Sequence, residues 1–179
     1  LAEPPVVLGH ETAGTIVEVG AAVHGYYDSE RITLAPAVPC GLCAACRRGQ
    51  STVCEDMLHV GYTWDGGMAE YMLLPPGALR EASVVKVPDG VSAAAAALTE
   101  PLACCLNAQE LLGVGAGDRV LIIGCGPIGC LHAMLARTLG ASRGMMADLD
   151  SGRVELAERA AADDYVNSAE QDLAARVMA

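Results

Sequence analysis

The sequence contains no Phe and a single Trp, and aromatic residues make up 3% of its 179 positions. An interior without large rings must be filled by Leu, Val, Ile, Met and numerous Ala, which favours helices packed closely on a sheet and predicts an α/β protein. Positive charge is also scarce, with 11 Lys and Arg against 22 Asp and Glu and a net charge of -11. Nucleic-acid binders need clustered cations to displace phosphate counterions, so no nucleic-acid partner is expected. The longest apolar run, 91–106, is interrupted by Thr99, Glu100 and Pro101 and falls short of a membrane span. No secretory signal precedes the first motif, and no membrane partner is expected. Of the eight Cys, four cluster with metal-ligand spacing and do not form a disulfide framework, which points to a reducing cytoplasm.

What is present is 53% hydrophobic residues, enough for one packed domain or two small ones. From Val6 to about Lys86, short β-branched runs such as Thr15–Val19 and Ile32–Leu34 alternate with Gly and Pro turns, and this half reads as mostly β. After Pro88-Asp89-Gly90 the texture changes. Ser92 can cap an Ala-rich helix, and Pro101–Leu112 reads as a second helix ended by Gly113. The expected division is 1–88 and 89–179. Beyond Arg119 the order is strand Val120–Ile123, glycine turn, helix Pro127–Leu139, strand Met145–Asp148 and helix Arg153–Ala161. A short strand at Tyr165-Val166 and a polar helix from Ala169 follow. Strands and helices alternating at this spacing predict βαβ units and a parallel sheet.

Cys40, Cys43, Cys46 and Cys54 form the pattern CxxCxxCx7C in a loop flanked by Pro39 and Gly49. Closely spaced thiolates with one return can converge tetrahedrally on a soft cation, and Zn2+ is the natural occupant. A ferredoxin-type iron–sulfur run has its fourth Cys sooner and followed by Pro, whereas Cys54 precedes Glu55. Four thiolates leave no open coordination position, so this site is read as structural. Cys104, Cys105, Cys125 and Cys130 read as buried small hydrophobes.

The segment Val120–Gly129 places GxGxxG after an apolar strand and at a helix start. Gly124 permits the turn, Gly126 lets backbone approach a pyrophosphate, and Gly129 allows close helix–strand packing; Pro127 and Ile128 open the helix whose amides face the anion. Asp148 lies 19 residues after Gly129, where a carboxylate accepts ribose hydroxyls and repels a 2′-phosphate, favouring NAD. Asp150 is the competing choice, Arg153 can soften the discrimination, and the alternative role for Asp148 is a cap on the following helix.

Gly9–Gly20, reading GHETAGTIVEVG, closely resembles the GHExxGxVxxVG signature of zinc-containing medium-chain alcohol and polyol dehydrogenases. Alone, a His beside a Glu is more often structural than a ligand. Here the cysteine loop, Asp65–Tyr71, Glu100–Ala103 and the glycine turn follow in that family's order. The resemblance implies a GroES-like β domain carrying two zinc sites, followed by a Rossmann doubly wound parallel sheet. It further implies His10 as a ligand of a catalytic zinc, Glu11 beside it, and Glu100 as the acidic ligand of the sorbitol and threonine dehydrogenase branch. The implied activity is hydride transfer between an alcohol or polyol and NAD, with zinc polarising the substrate hydroxyl, in a homodimer or homotetramer.

Three features depart from the family's pattern. No Cys in a CGxD-type segment precedes Gly9, only about three Rossmann strands fit before Ala179, and Ser29-Glu30-Arg31-Ile32 stands where Gly-Asp-Arg-Val is usual. These departures lead us to expect a segment truncated at both ends, with an apolar face left uncovered. Two other readings compete: a zinc-stapled nucleotide-binding module without turnover, and a zinc-free reductase, which the cysteine loop disfavours. His24, His59 and His132 read as ordinary surface or core histidines, and Met145 and Met146 as core.

Overall fold

The computed structural model describes residues 5–81, 83–160 and 162–179. Two compact units, Leu1–Glu100 and Pro101–Ala179, divide the chain. The first runs β1 (Ala13–Thr15), β2 (Arg31–Leu34), β3 (Ala37–Val38), α1 (Ala44–Arg47), β4 (Leu58–His59), α2 (Pro76–Arg80), β5 (Val84–Lys86) and α3 (Ala93–Ala97). Its main sheet is antiparallel in the order β1-β2-β5, and β3 pairs with β4 as a separate ribbon. Ile32, Leu34, Val38, Val60, Ala78 and Val84 form the core, and the half-buried Trp64 and Leu74 pack against it. The β-branched run Ile32-Thr33 becomes a buried strand because the Thr33 hydroxyl finds a partner, donating to the Thr12 carbonyl at 2.8 Å.

The expected strand over Thr15–Val19 is shorter than its sequence suggests, since β1 ends at Thr15. Backbone bonds to the opposite strand continue only through Ile16, which accepts from Ser29 N–H and donates to the Glu30 carbonyl. Ser29 then turns the chain with φ 67°, a left-handed conformation where the family pattern has Gly, and its N–H is shared between the Ile16 carbonyl and Asp28 Oδ1, each at 2.9 Å. Ser92 caps α3 by accepting from Ala95 N–H, as its position before the alanine run predicts.

Helix α4 (Thr99–Leu112) begins two residues before the expected Pro101, a residue compatible with the first turn of a helix. The second unit continues as β6 (Arg119–Ile123), α5 (Pro127–Thr138), β7 (Arg143–Asp148), α6 (Ser151–Ala157), β8 (Asp164–Asn167) and α7 (Leu173–Met178). Its sheet is parallel in the order β6-β7-β8, with Ile122 opposite Met146 and Ala147 opposite Val166. Alternate residues of β7 serve opposite faces. Met146 packs with Ile122, Cys125, Ala133 and Ala157, while Met145 and Ala147 pack with Val166, Leu173 and Val177. Helices therefore lie on both faces, the doubly wound arrangement, while Ile123 of β6 stays 78% exposed, an apolar face left uncovered as expected.

Besides α4, two helices differ from their expected bounds by more than one residue. α6 starts at Ser151 because Asp150 caps it, accepting from Arg153 N–H, and it ends at Ala157; the expected terminus Ala161 lies outside the described residues. α7 starts at Leu173, not Ala169, because Asp172 supplies the cap and residues 169–171 are held in a turn by Asn167. Cys105 and Cys125 are buried as expected, but Cys104 is exposed and Cys130 only half-buried, which corrects the view that all four serve the core. Among the described residues no helix is long and apolar enough to cross a membrane.

Met146 is fully buried at the centre of the second unit. Met146→Ala should lower unfolding free energy by roughly 2–5 kcal/mol, measured by urea denaturation. A loss below about 1 kcal/mol would mean that β7 is not central to that core.

Candidate functional site: two side-chain clusters and a glycine turn

The cysteine loop is built by local backbone geometry. Cys43 is the N-cap of α1, with its Sγ accepting from Cys46 N–H, and a 3-10 turn at Ser51–Val53 returns the chain to Cys54. The four Sγ atoms lie within 4.8 Å of one another, with Cys43 and Cys54 sulfurs 3.9 Å apart. Tetrahedral thiolates at a zinc–sulfur length of about 2.3 Å would stand about 3.8 Å apart, so the spacing suits Zn2+. Backbone N–H groups of Leu42 and Cys43 point at Cys40 Sγ, and that of Cys40 at Cys54 Sγ, at 3.3–3.4 Å. Such donors favour sulfur in its charged form. The Cys46 and Glu55 amides draw the Cys43 thiol down to about 6, whereas burial pushes Cys46 up to about 12. Crowded sulfurs cannot all ionise against one another, and a dication is the group that would let them.

The second cluster joins residues far apart in sequence. One ligand atom each from His10, Glu11 and Glu100 lies within 4.8 Å of the others, with His10 and Glu100 half-buried and Glu11 exposed. Gly9 sets the chain direction just before His10 with φ 99°, and a Cβ there would meet Met68 Cγ at 2.8 Å. The neighbouring segment is fastened by backbone bonds from Gly66 N–H to Val7 O, Gly67 N–H to Gly9 O and Met68 N–H to Leu8 O, all 2.7–3.0 Å. Asp65 adds a side-chain bond, accepting from Val7 N–H at 2.8 Å. Glu100 sits in the first turn of α4, where a carboxylate is favoured by the helix dipole. An imidazole with two carboxylates is a donor set for a divalent cation such as Zn2+, and it leaves coordination positions open.

In the second unit Gly124 turns after β6 with φ 113° and donates its N–H to the Ala147 carbonyl at 2.7 Å. Gly126 precedes the first turn of α5, Pro127 occupies its first position, and Ile128 and Gly129 follow. A Cβ on Gly129 would collide with the Gly124 carbonyl, whereas one on Gly126 would meet open space, the room a bound diphosphate requires. Asp148 ends β7 and accepts from Cys125 N–H at 2.8 Å and from Asp150 N–H at 3.1 Å. The Cys125 amide above all holds its carboxyl below the usual carboxylate range. Asp150 is engaged as the α6 cap, so Asp148 is the carboxylate that meets the glycine turn.

Tyr62, which sequence reading passed over, packs its ring on His10 with centroids 5.4 Å apart and a 35° tilt. Its position just ahead of the Asp65–Tyr71 segment was the available signal. His24 and His59 are exposed, and His132 meets Gln109 in the second unit.

Residues 1–89 match the family described as the alcohol dehydrogenase GroES-like domain. L-Threonine 3-dehydrogenase of Rhizobium johnstonii is 34% identical over 170 residues, covering 95% of this chain and 48% of that protein. L-Idonate 5-dehydrogenase of Vitis vinifera is 36% identical over 166 residues, covering 93% of this chain and 44% of that protein. A Sinorhizobium meliloti protein described as a zinc-binding dehydrogenase and bound to NADP superposes with a TM-score of 0.87 at 37% identity, covering 96% of this chain and 49% of that one. The chain thus spans about half the length of the curated relatives it matches.

Because its folded carboxyl titrates below the ordinary value, Asp148 contributes stability that is present above about pH 4 and is lost as pH falls through the lowered value. The stability gap between the parent sequence and Asp148→Asn should be full near neutral pH and close on acidification, by urea titration. A gap that widened in acid would contradict the assignment.

Proposed function

The chain belongs to the family of zinc-binding alcohol dehydrogenases with a GroES-like domain, and from that premise we propose that it forms part of an NAD-linked dehydrogenase acting on a polyol or a hydroxy amino acid. The observation that carries this reading is the convergence of His10, Glu11 and Glu100 on one point from segments about ninety residues apart. A zinc ion held there would supply Lewis-acid polarisation of a substrate hydroxyl, and a bound nicotinamide would supply a hydride acceptor.

The rest of the chemistry falls to the chain itself. His10 offers a neutral nitrogen, and Glu100, approaching from the first turn of α4, offers a carboxylate that leaves the cation harder than a thiolate pair would. The Cys40, Cys43, Cys46 and Cys54 loop is read as a second, structural zinc site, closed to substrate. We read residues 1–88 as the GroES-like zinc-binding part and 89–179 as the NAD-binding part. In the latter, Gly124, Gly126 and Gly129 bring backbone amides of α5 to the diphosphate, with Pro127 and Ile128 setting the helix start. Asp148 holds ribose hydroxyls through the acceptor capacity its two backbone bonds leave free. Its charge disfavours a 2′-phosphate, so NAD is the proposed cofactor although the S. meliloti relative is bound to NADP. The relatives named for L-threonine and L-idonate support a secondary hydroxyl beside other polar groups as the substrate class.

The full-length protein should reduce NAD with a member of a panel of polyols and 3-hydroxy amino acids. His10→Ala should lower kcat/KM about 100-fold or more while NAD binding by titration calorimetry persists. Undiminished turnover in that variant would overturn the reading.

A further inference from the structure

The His10 imidazole makes no hydrogen bond among the described residues, and Tyr62 is its ring partner there. Metal-bound histidines are ordinarily oriented by a hydrogen bond from the second ring nitrogen, whereas among the described residues this imidazole meets the Tyr62 ring. We infer that Tyr62 is the positioning residue for the His10 ligand, holding the imidazole plane by ring packing; this rests on the proposed metal site at His10, Glu11 and Glu100.

The mounting of the two rings supports that role. Tyr62 lies in a tight turn, with its N–H donating to His59 O at 3.1 Å and Gly61 N–H donating to Trp64 O at 2.7 Å. Trp64 anchors the far side of the turn through Nε1–H to Leu73 O at 2.8 Å. A Cβ on Gly61 would stand 3.0 Å from the Gly9 carbonyl group, so the Tyr62 turn rests directly on the backbone that carries His10. The Asp65–Met68 stretch that follows is bonded to Val7, Leu8 and Gly9. Ring spacing is thereby fixed by backbone on both sides. Tyr62 itself is 44% exposed and is not among the residues packed on the hydrophobic core of the unit.

The test is a Co2+ titration of zinc-stripped full-length protein, following the visible ligand-field absorption of the second ion after the cysteine site has filled. His10→Ala is the control for the metal site itself. If it binds the second ion as the parent does, the proposed site fails, and the role of Tyr62 fails with it. With that control losing the ion, Tyr62→Leu should weaken second-ion binding about 2- to 10-fold and shift its ligand-field spectrum, while Tyr62→Phe restores both. The cysteine site's own thiolate-to-cobalt absorption reports that each variant is folded. Tyr62→Leu with parental affinity and spectrum would overturn the proposal and leave the metal site standing. Tyr62→Phe behaving like Tyr62→Leu would also overturn it, because the hydroxyl and not the ring would then be responsible.

Discussion

Three short backbone hydrogen bonds join residues 66–68 to residues 7–9, and the geometry around His10 depends on them. A ligand cluster drawn from both ends of a hundred-residue unit faces a large entropy cost unless its strands are held before any ion arrives. Here the backbone does the holding. Gly9 can sit against Met68 only because it lacks a side chain, and the left-handed turn it makes sends His10 toward Glu11 and Glu100. A cation would then meet ligands already converged, and would not have to organise them.

A similar economy governs the second unit. The Asp148 carboxylate at the end of β7 receives the Cys125 amide from the glycine turn that follows β6, so adjacent parallel strands are tied together at their carboxyl ends. Ligands of open α/β sheets bind at those ends. The contact keeps the carboxylate charged and leaves part of each oxygen free, while the close packing of Gly129 under the Gly124 carbonyl fixes where the α5 amides begin. The cysteine loop is the contrasting case. Having few apolar residues of its own, it relies on amide-to-sulfur bonds and on the charge of an ion.

Periodicity and punctuation made most of the second unit legible, because β6 reads as an apolar run and Pro127, Gly124 and Gly113 mark element ends. Boundaries slipped where a polar residue competed to cap. Asp150 and Asp172 both moved helix starts away from the apolar pattern, α6 earlier and α7 later. In the first unit Thr15–Val19 looks like one strand, but pairing stops where Ser29 turns the opposing chain, a long-range fact that no local window contains. The cysteine cluster was legible by spacing alone. The approach of Glu100 to His10 was not: resemblance suggested it, and only the folded chain brings those atoms within 4.8 Å. The Tyr62 ring contact left no signal beyond its place just ahead of the Asp65–Tyr71 segment, since it depends on how two loops cross.

Under the proposed function the first unit holds two metal centres of different character, one closed by four sulfurs and one open at His10, Glu11 and Glu100. Anomalous X-ray diffraction at the zinc absorption edge, from crystals of the full-length protein grown with zinc, tests it most directly. Two anomalous peaks are expected, one among Cys40, Cys43, Cys46 and Cys54 and one beside His10 and Glu100. A single peak at the cysteines, with none beside His10, would contradict it.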